Sequence, residues 1–187
     1  MHSATQAQHR WPLSPGATLL LITAGLAQAI SLAWPLGGDV QGASQGWLQI
    51  LSMAALAWVL DRAQSNKQAF TTGWFFSFAW LSASIWWLFI SMHQYGGLPA
   101  PVAALAVALL AAGLALFYSL ACLVFHALCQ TGVGVLLRAC AFAAVWMAAE
   151  MLRGTLWTGF PWGAAGYAHI DSVLQHWAPW VGVYGLC

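Results

Sequence analysis

Charge is what this sequence has least of. Lys and Arg total 5 and Asp and Glu 4 among 187 residues, 5% of the chain, where soluble domains carry roughly 25%. So few charges cannot cover a water-soluble globule of this size, which excludes an ordinary cytosolic enzyme and a disordered chain. The formal net charge is +1 and no basic stripe is present, so nucleic acid is excluded as a partner. Cysteine is sparse too. Cys122, Cys129 and Cys140 lie inside apolar runs and Cys187 is the last residue. Burial as small hydrophobes explains the first three better than a disulfide framework does. Also missing are the alternating pattern of a membrane barrel, domain linkers, low-complexity tracts and internal repeats.

What is abundant is apolar. Hydrophobic residues make up 61% of the chain and mean hydropathy is +0.75, so lipid rather than water is the expected solvent. A spanning helix needs about 20 mostly apolar residues. Runs at 17–36, 47–60, 70–92, 101–128 and 135–153 qualify, and another opens at 181–187. The fold class expected is all-α integral membrane: a polytopic bundle of five spanning helices plus the start of a sixth. The first run closes at Trp34-Pro35-Leu36-Gly37-Gly38; the second is short and needs Trp47 at one interface.

Lys and Arg in short loops set orientation. With the N-terminus in the cytoplasm, that side holds Arg10, Arg62, Lys67 and Arg138, and the other holds Arg153. The loops 37–46, 93–100 and 154–180 then face outward. A cleaved signal peptide competes for the first run, since Arg10 gives a weak basic start and Ala27-Gln28-Ala29 resembles a cleavage site. The apolar stretch continues to Leu36, which favours an uncleaved helix.

Helices in lipid associate through small residues. Ala104, Ala108 and Ala112, and Ala111, Ala115 and Ser119, repeat at four-residue spacing and mark two packing faces, or simply the abundance of alanine. Among the 13 Trp residues, Trp47, Trp74, Trp86, Trp87, Trp157, Trp162, Trp177 and Trp180 fit interfacial belts. Trp80 falls mid-span, seven residues before Trp87. That face either packs in the bundle or lines a cleft for an acyl chain or substrate.

Glu150 and Arg153 stand at i and i+3 near the end of the fifth run, on one helix face. Ionisable groups in membrane helices are costly, hence paired or functional. Either the two fix this helix end, or Arg153 binds a lipid phosphate with Glu150 orienting it. Cys122, His126 and Cys129 share a face, but three ligands on one helix leave a fourth unsupplied, and helix-end packing explains them. His93 and His126 lie at opposite ends of their spans, most of the roughly 30 Å hydrocarbon apart, which no haem bridges. No metal or other cofactor is expected. No cysteine has a neighbour that favours thiolate, and no Ser–His–Asp set or phosphate-cradling loop is visible.

The most distinctive stretch is Glu150-Met151-Leu152-Arg153-Gly154, then Thr158-Gly159-Phe160-Pro161-Trp162 and Gly166-Tyr167, continuing through Asp171 to Ala178-Pro179-Trp180. Gly159 and Pro161 break the helix, Phe160 and Trp162 anchor at headgroups, and Asp171 caps a short helix running to Trp177. This stretch resembles the apolipoprotein N-acyltransferase family. Trp86-Trp87 followed by His93-Gln94-Tyr95-Gly96-Gly97-Leu98-Pro99-Ala100-Pro101 agrees with the family's loop between its third and fourth helices, and the resemblance covers about residues 17–185.

The resemblance implies a bacterial inner-membrane, multi-pass enzyme that takes an acyl chain from a phospholipid and forms a thioester on a cysteine. The acyl group then passes to the α-amine of a lipoprotein's diacylglyceryl-cysteine. The partners implied are the phospholipid acyl donor, the diacylated apolipoprotein acceptor and membrane lipids. The family's catalytic Glu, Lys and Cys lie in a periplasmic nitrilase-like domain after the seventh helix. That domain is expected to be absent from this sequence, as in a gene fragment or split gene, so no catalytic residue is assigned and the chain alone is expected to be inactive. Trp80, Trp87, Glu150, Arg153, Phe160 and Trp162 are the candidate substrate- and lipid-binding residues. A small transporter and a non-enzymatic membrane scaffold are the alternatives; a transporter calls for mid-membrane charges or paired broken helices.

Overall fold

The computed structural model describes residues 13–187 apart from 38, 40, 130 and 131. Arg10, counted above for orientation, and Gly38, at the close of the first run, lie outside the described residues. All regular structure among the described residues is helical.

Helix α1 (Pro15–Leu32) starts where Ser14 Oγ accepts from the Ala17 amide and Pro15 occupies the first turn, and it ends at extended Ala33. Helix α2 spans Gly46–Leu60. Helix α3 (Asn66–Ser84) is capped by Ser65, whose hydroxyl accepts from the Gln68 amide, and so begins four residues before the apolar run at 70. Helix α5 (Ala100–Leu128) has 29 residues, long enough at ~1.5 Å per residue to cross a bilayer with tilt. Helix α6 covers Val135–Thr155. Three helices, α1, α5 and α6, are long and apolar enough to cross a membrane.

The expected span at 70–92 is broken. Helix α4 (Trp87–Ile90) and a wide π turn at Ser91–Tyr95 follow α3 after a 48° bend. Ile85 leaves helical geometry, and the bonds Leu88 N–H to Ile85 O and Phe89 N–H to Trp86 O are three-residue bonds that redirect the chain. Counted as one span, this pair is a fourth crossing. At 15 residues, α2 is ~22 Å long and shorter than the hydrocarbon core.

Residues 181–187, expected to open another span, are not a continuous helix. Helix α7 (Ala178–Val181) stops at Gly182, where φ is +67°, and a single turn Tyr184–Leu186 follows. The Tyr184–Leu186 turn folds back on Ala165–His169, where a Cβ on Gly166 would strike the Val183 carbonyl.

Helix α3 is central, with α5 and α1 against it; α2 packs on α1, and α6 packs on α5. The Ala111/Ala115/Ser119 face of α5 is buried as expected, while Ala104 is exposed. Gly73 is what lets α3 approach: a Cβ there would lie 2.7 Å from the Tyr118 carbonyl and 2.9 Å from Ser119 Cα.

Both ends of the bundle are tied. Arg138 at the start of α6 forms an ion pair with Asp61 after α2. At the other end Asp171 Oδ2 accepts from the Ser44 amide (3.0 Å), and the Asp171 amide donates to Ser44 Oγ (3.2 Å). Gly163 lies beside Ser84 and Leu32. Ser44, Asp171, Gly163 and the top of α3 therefore share one end, and Asp61, Arg62 and Arg138 the other.

Candidate functional site: a buried charge cluster under a doubled-back loop

The last two turns of α6 carry Glu150 and Arg153 inward, where both are essentially fully buried. Arg153 Nη2 donates to Glu150 Oε2 at 2.9 Å. Tyr118 of α5 completes the group: its hydroxyl donates to Glu150 Oε1 at 2.8 Å and accepts from Arg153 Nε at 2.7 Å. Arg153 Nη1 donates to the carbonyls of Phe160 (2.5 Å) and Trp162 (2.8 Å). One guanidinium thus ties α6 to α5 and to the loop that follows. Its edges are spent on protein acceptors, so it faces into the bundle, and both Glu150 oxygens are engaged as well. The arrangement is an anchor with no free base or nucleophile in it.

The loop can return over the helix end because of its backbone. Trp157 (φ 51°), Thr158 (φ 78°) and Gly159 (φ 77°) are left-handed in succession, a costly conformation for the two non-glycine residues. The Phe160 amide then donates back to Arg153 O at 2.7 Å. A Cβ on Gly159 would collide with the Gly154 carbonyl, so position 159 requires glycine for both its φ and its space.

Beneath the cluster is an aromatic core. Trp80 meets Tyr118 edge-on at 5.1 Å and stacks on Trp146 at 6.0 Å; Tyr118 and Trp146 are 4.8 Å apart. Of the six residues singled out from sequence, the structure gathers Glu150, Arg153, Phe160 and Trp162 and sets Trp80 next to them through Tyr118. Trp87 stands apart: it is 42% exposed beyond the bend while Trp80 is fully buried, so the two share no face. Sequence reasoning missed Tyr118 and Trp146. The available signal was a phenol in the middle of an apolar helix, since a buried Tyr hydroxyl usually finds a partner.

Phe160 and Trp162 lie 5.0 Å apart, Trp162 being exposed. Asp171 does not cap the turn at Val173–Trp177; Ser172 does, its hydroxyl accepting from the Leu174 amide. Asp171 is taken by Ser44 instead, whose amide holds the carboxyl below the ordinary aspartate value. His169 is buried against Gly46, and burial lowers its imidazole value. Cys122 is buried beside Gly73, whereas His126 and Cys129 line a cavity of about 310 Å³ with Asp61 and Arg138.

Comparison with known proteins gives one consistent result. The profile of the apolipoprotein N-acyltransferase N-terminal domain matches residues 24–187. An apolipoprotein N-acyltransferase of Verminephrobacter eiseniae is 52% identical over 172 residues, covering 88% of this chain and 30% of the relative. That of Ralstonia nicotianae is 46% identical over 141 residues, 75% of this chain and 27% of the relative. That of Pseudomonas putida is 35% identical over 181 residues, 94% of this chain and 33% of the relative. The chain spans about a third of the length of these curated relatives.

Proposed function

The chain belongs to the apolipoprotein N-acyltransferase N-terminal domain family, and from that membership we propose that it is the membrane portion of a phospholipid:apolipoprotein N-acyltransferase. The observation that carries the reading is the family match over residues 24–187, with relatives of that name up to 52% identical. The substrates proposed are a phospholipid acyl donor and a diacylated apolipoprotein, whose diacylglyceryl-cysteine amine is acylated in lipoprotein maturation. The membrane proposed is the bacterial inner membrane, crossed five times, with the N-terminus in the cytoplasm. Support for this sidedness is that Arg62 and Arg138 gather at one end.

Within that reading the charge cluster positions rather than reacts. Arg153 and Glu150 hold the loop so that Phe160 and Trp162 sit at the headgroup level, and Trp80 supports the cluster from below. Trp87, exposed on α4, contacts lipid. No cysteine here has an activating partner, so the 187-residue polypeptide alone is expected to transfer no acyl group. The test is a chimera in which residues 24–187 replace the matching part of a full-length relative. Expected is a diacylated lipoprotein gaining the mass of one acyl chain in cells that depend on the chimera. A membrane-inserted chimera that leaves the lipoprotein diacylated would overturn the reading.

A further inference from the structure

Two adjoining cavities open at the end of the bundle where α2 stops and α6 starts. The first, about 310 Å³, is a polar chamber walled by Asp61, Gln64, His126 and Arg138. The second, about 550 Å³, is an apolar groove between α2 and α6 that runs past Ala54, Ala57 and Phe142 and has Arg62 at its mouth. Asp61, Phe125 and Arg138 line both. The charged groups are accessible: Asp61 and Arg62 are exposed, and His126 and Arg138 are half-buried. A polar chamber joined to an apolar groove by a charged edge is the outline of a headgroup and a chain.

The edge is electropositive. Asp61 pairs with Arg138, which leaves Arg62 unbalanced. Its guanidinium is set in place: Cζ stacks 3.9 Å over the Trp58 ring, and Nη1 donates to Trp58 O at 2.8 Å. Its other N–H groups have no protein acceptor among the described residues. Helix α6 adds to the field, since its first turn has neither a capping side chain nor an acidic residue, and Val135 of that turn lines the groove. Two guanidinium groups against one carboxylate leave a place for one negative charge.

The occupant follows from charge and shape. A fatty acid brings a charge and a chain but nothing for the polar chamber. A zwitterionic phospholipid brings an ammonium with its phosphate and leaves the edge uncompensated. A phospholipid with an alcohol headgroup brings one net negative charge, and its hydroxyls suit Gln64 and His126, each able to donate and accept. We propose that this end of the bundle binds one such anionic phospholipid from the adjoining leaflet. Its phosphate lies between Arg62 and Arg138 and its headgroup in the chamber. One acyl chain follows the groove for ~12 Å, the rise of α2 from Ala54 to Arg62. Helix α2 packs on α1 and α3 while α6 packs on α5, so the lipid bridges two helices that belong to different parts of the bundle. The site stands at the end opposite Glu150 and Arg153 and is independent of acyl transfer.

The test titrates the 187-residue protein in detergent with phosphatidylglycerol and phosphatidylethanolamine of identical chains and reads bound lipid by native mass spectrometry. Phosphatidylglycerol should bind about fivefold more tightly, the share of one guanidinium. Arg62→Gln should bring the ratio near one. Arg138→Gln should do the same; because two lipids are compared on one folded protein, a loss of stability does not imitate the effect. Asp61→Asn should raise the ratio by a further factor of about five, since it removes the competing anion. Lys67→Gln, an equal loss of charge on a residue that lines neither cavity, should leave the ratio unchanged. Glycerol phosphate, which has no chains, should not displace the lipid at equal concentration. A native ratio near one, a fall in Asp61→Asn, an equal response of Arg62→Gln and Lys67→Gln, or displacement by glycerol phosphate overturns the proposal. So does loss of the preference when residues 24–187 stand in the full-length chimera, where a protein segment would then fill the groove. Acyl transfer by that chimera is scored separately: a transfer-dead chimera that keeps the preference ends the function proposed above and leaves this site standing.

Discussion

Arg153 brings a full charge into a bundle that has almost none, and four acceptors meet it there. Removing one partner of a buried pair leaves the other unpaired in a low dielectric, a loss of about 3–5 kcal/mol. Arg153→Ala is expected to fall in that range by thermal unfolding in detergent. Arg153→Lys is expected to recover only part of it, because an ammonium cannot reach Tyr118, Glu150 and two loop carbonyls at once. Tyr118→Phe should cost less, on the order of 1–2 kcal/mol. Combined with Arg153→Lys it should be non-additive by about 0.5–3 kcal/mol, as residues of one network are. Strict additivity would show that the hydroxyl and the guanidinium act independently.

At the scale of elements, two glycines with the same sequence context of an apolar helix behave oppositely. Gly73 is a contact point where α3 meets the backbone of α5, while a Cβ on Gly113 of α5 would meet nothing within 4 Å. Gly73→Ala should push the helices apart and destabilise by about 1–3 kcal/mol. Gly113→Ala should stabilise by about 0.5–1 kcal/mol through helix propensity alone. Unfolding midpoints of the two variants check this, and equal shifts would mean that α3 and α5 are not in close contact. The helices themselves were legible in sequence: α2 and α6 lie within two residues of their apolar runs, and α1 differs by up to four. The bend after α3 was not, because no Pro or Gly marks it and Trp86 and Trp87 look like a continuation of the run. One of the two alanine stripes on α5 proved to be fully buried, while the other is half-buried at Ala108 and Ala112 and exposed at Ala104, since a stripe shows which residues are small and not where a neighbour stands.

At the scale of the whole molecule, the end opposite the Asp61–Arg138 ion pair is closed by the Ser44–Asp171 clasp, with His169 buried beside it. Their pH responses are separate. Asp171 is held below its ordinary value of 3.8, so its contribution is present above that value and lost as pH falls through the lower folded value. His169 is held below 6.5. As pH falls from 6.5 toward that lowered value, the unfolded chain takes up a proton that the folded one resists, and stability declines. Proteolysis of the 33–45 loop should therefore accelerate in two steps on acidification, and Asp171→Ala should remove only the more acidic one. A single step in the native protein, or both steps surviving in Asp171→Ala, would refute the assignment. What the sequence determined unaided was the solvent, the helical class and the family, because apolar run length, scarcity of charge and a contiguous motif are all local properties. What only the tertiary structure decided was which partners those residues take. Tyr118 and Arg153 are 35 positions apart and Ser44 and Asp171 are 127 apart, and such pairs are set by how helices cross rather than by spacing along the chain.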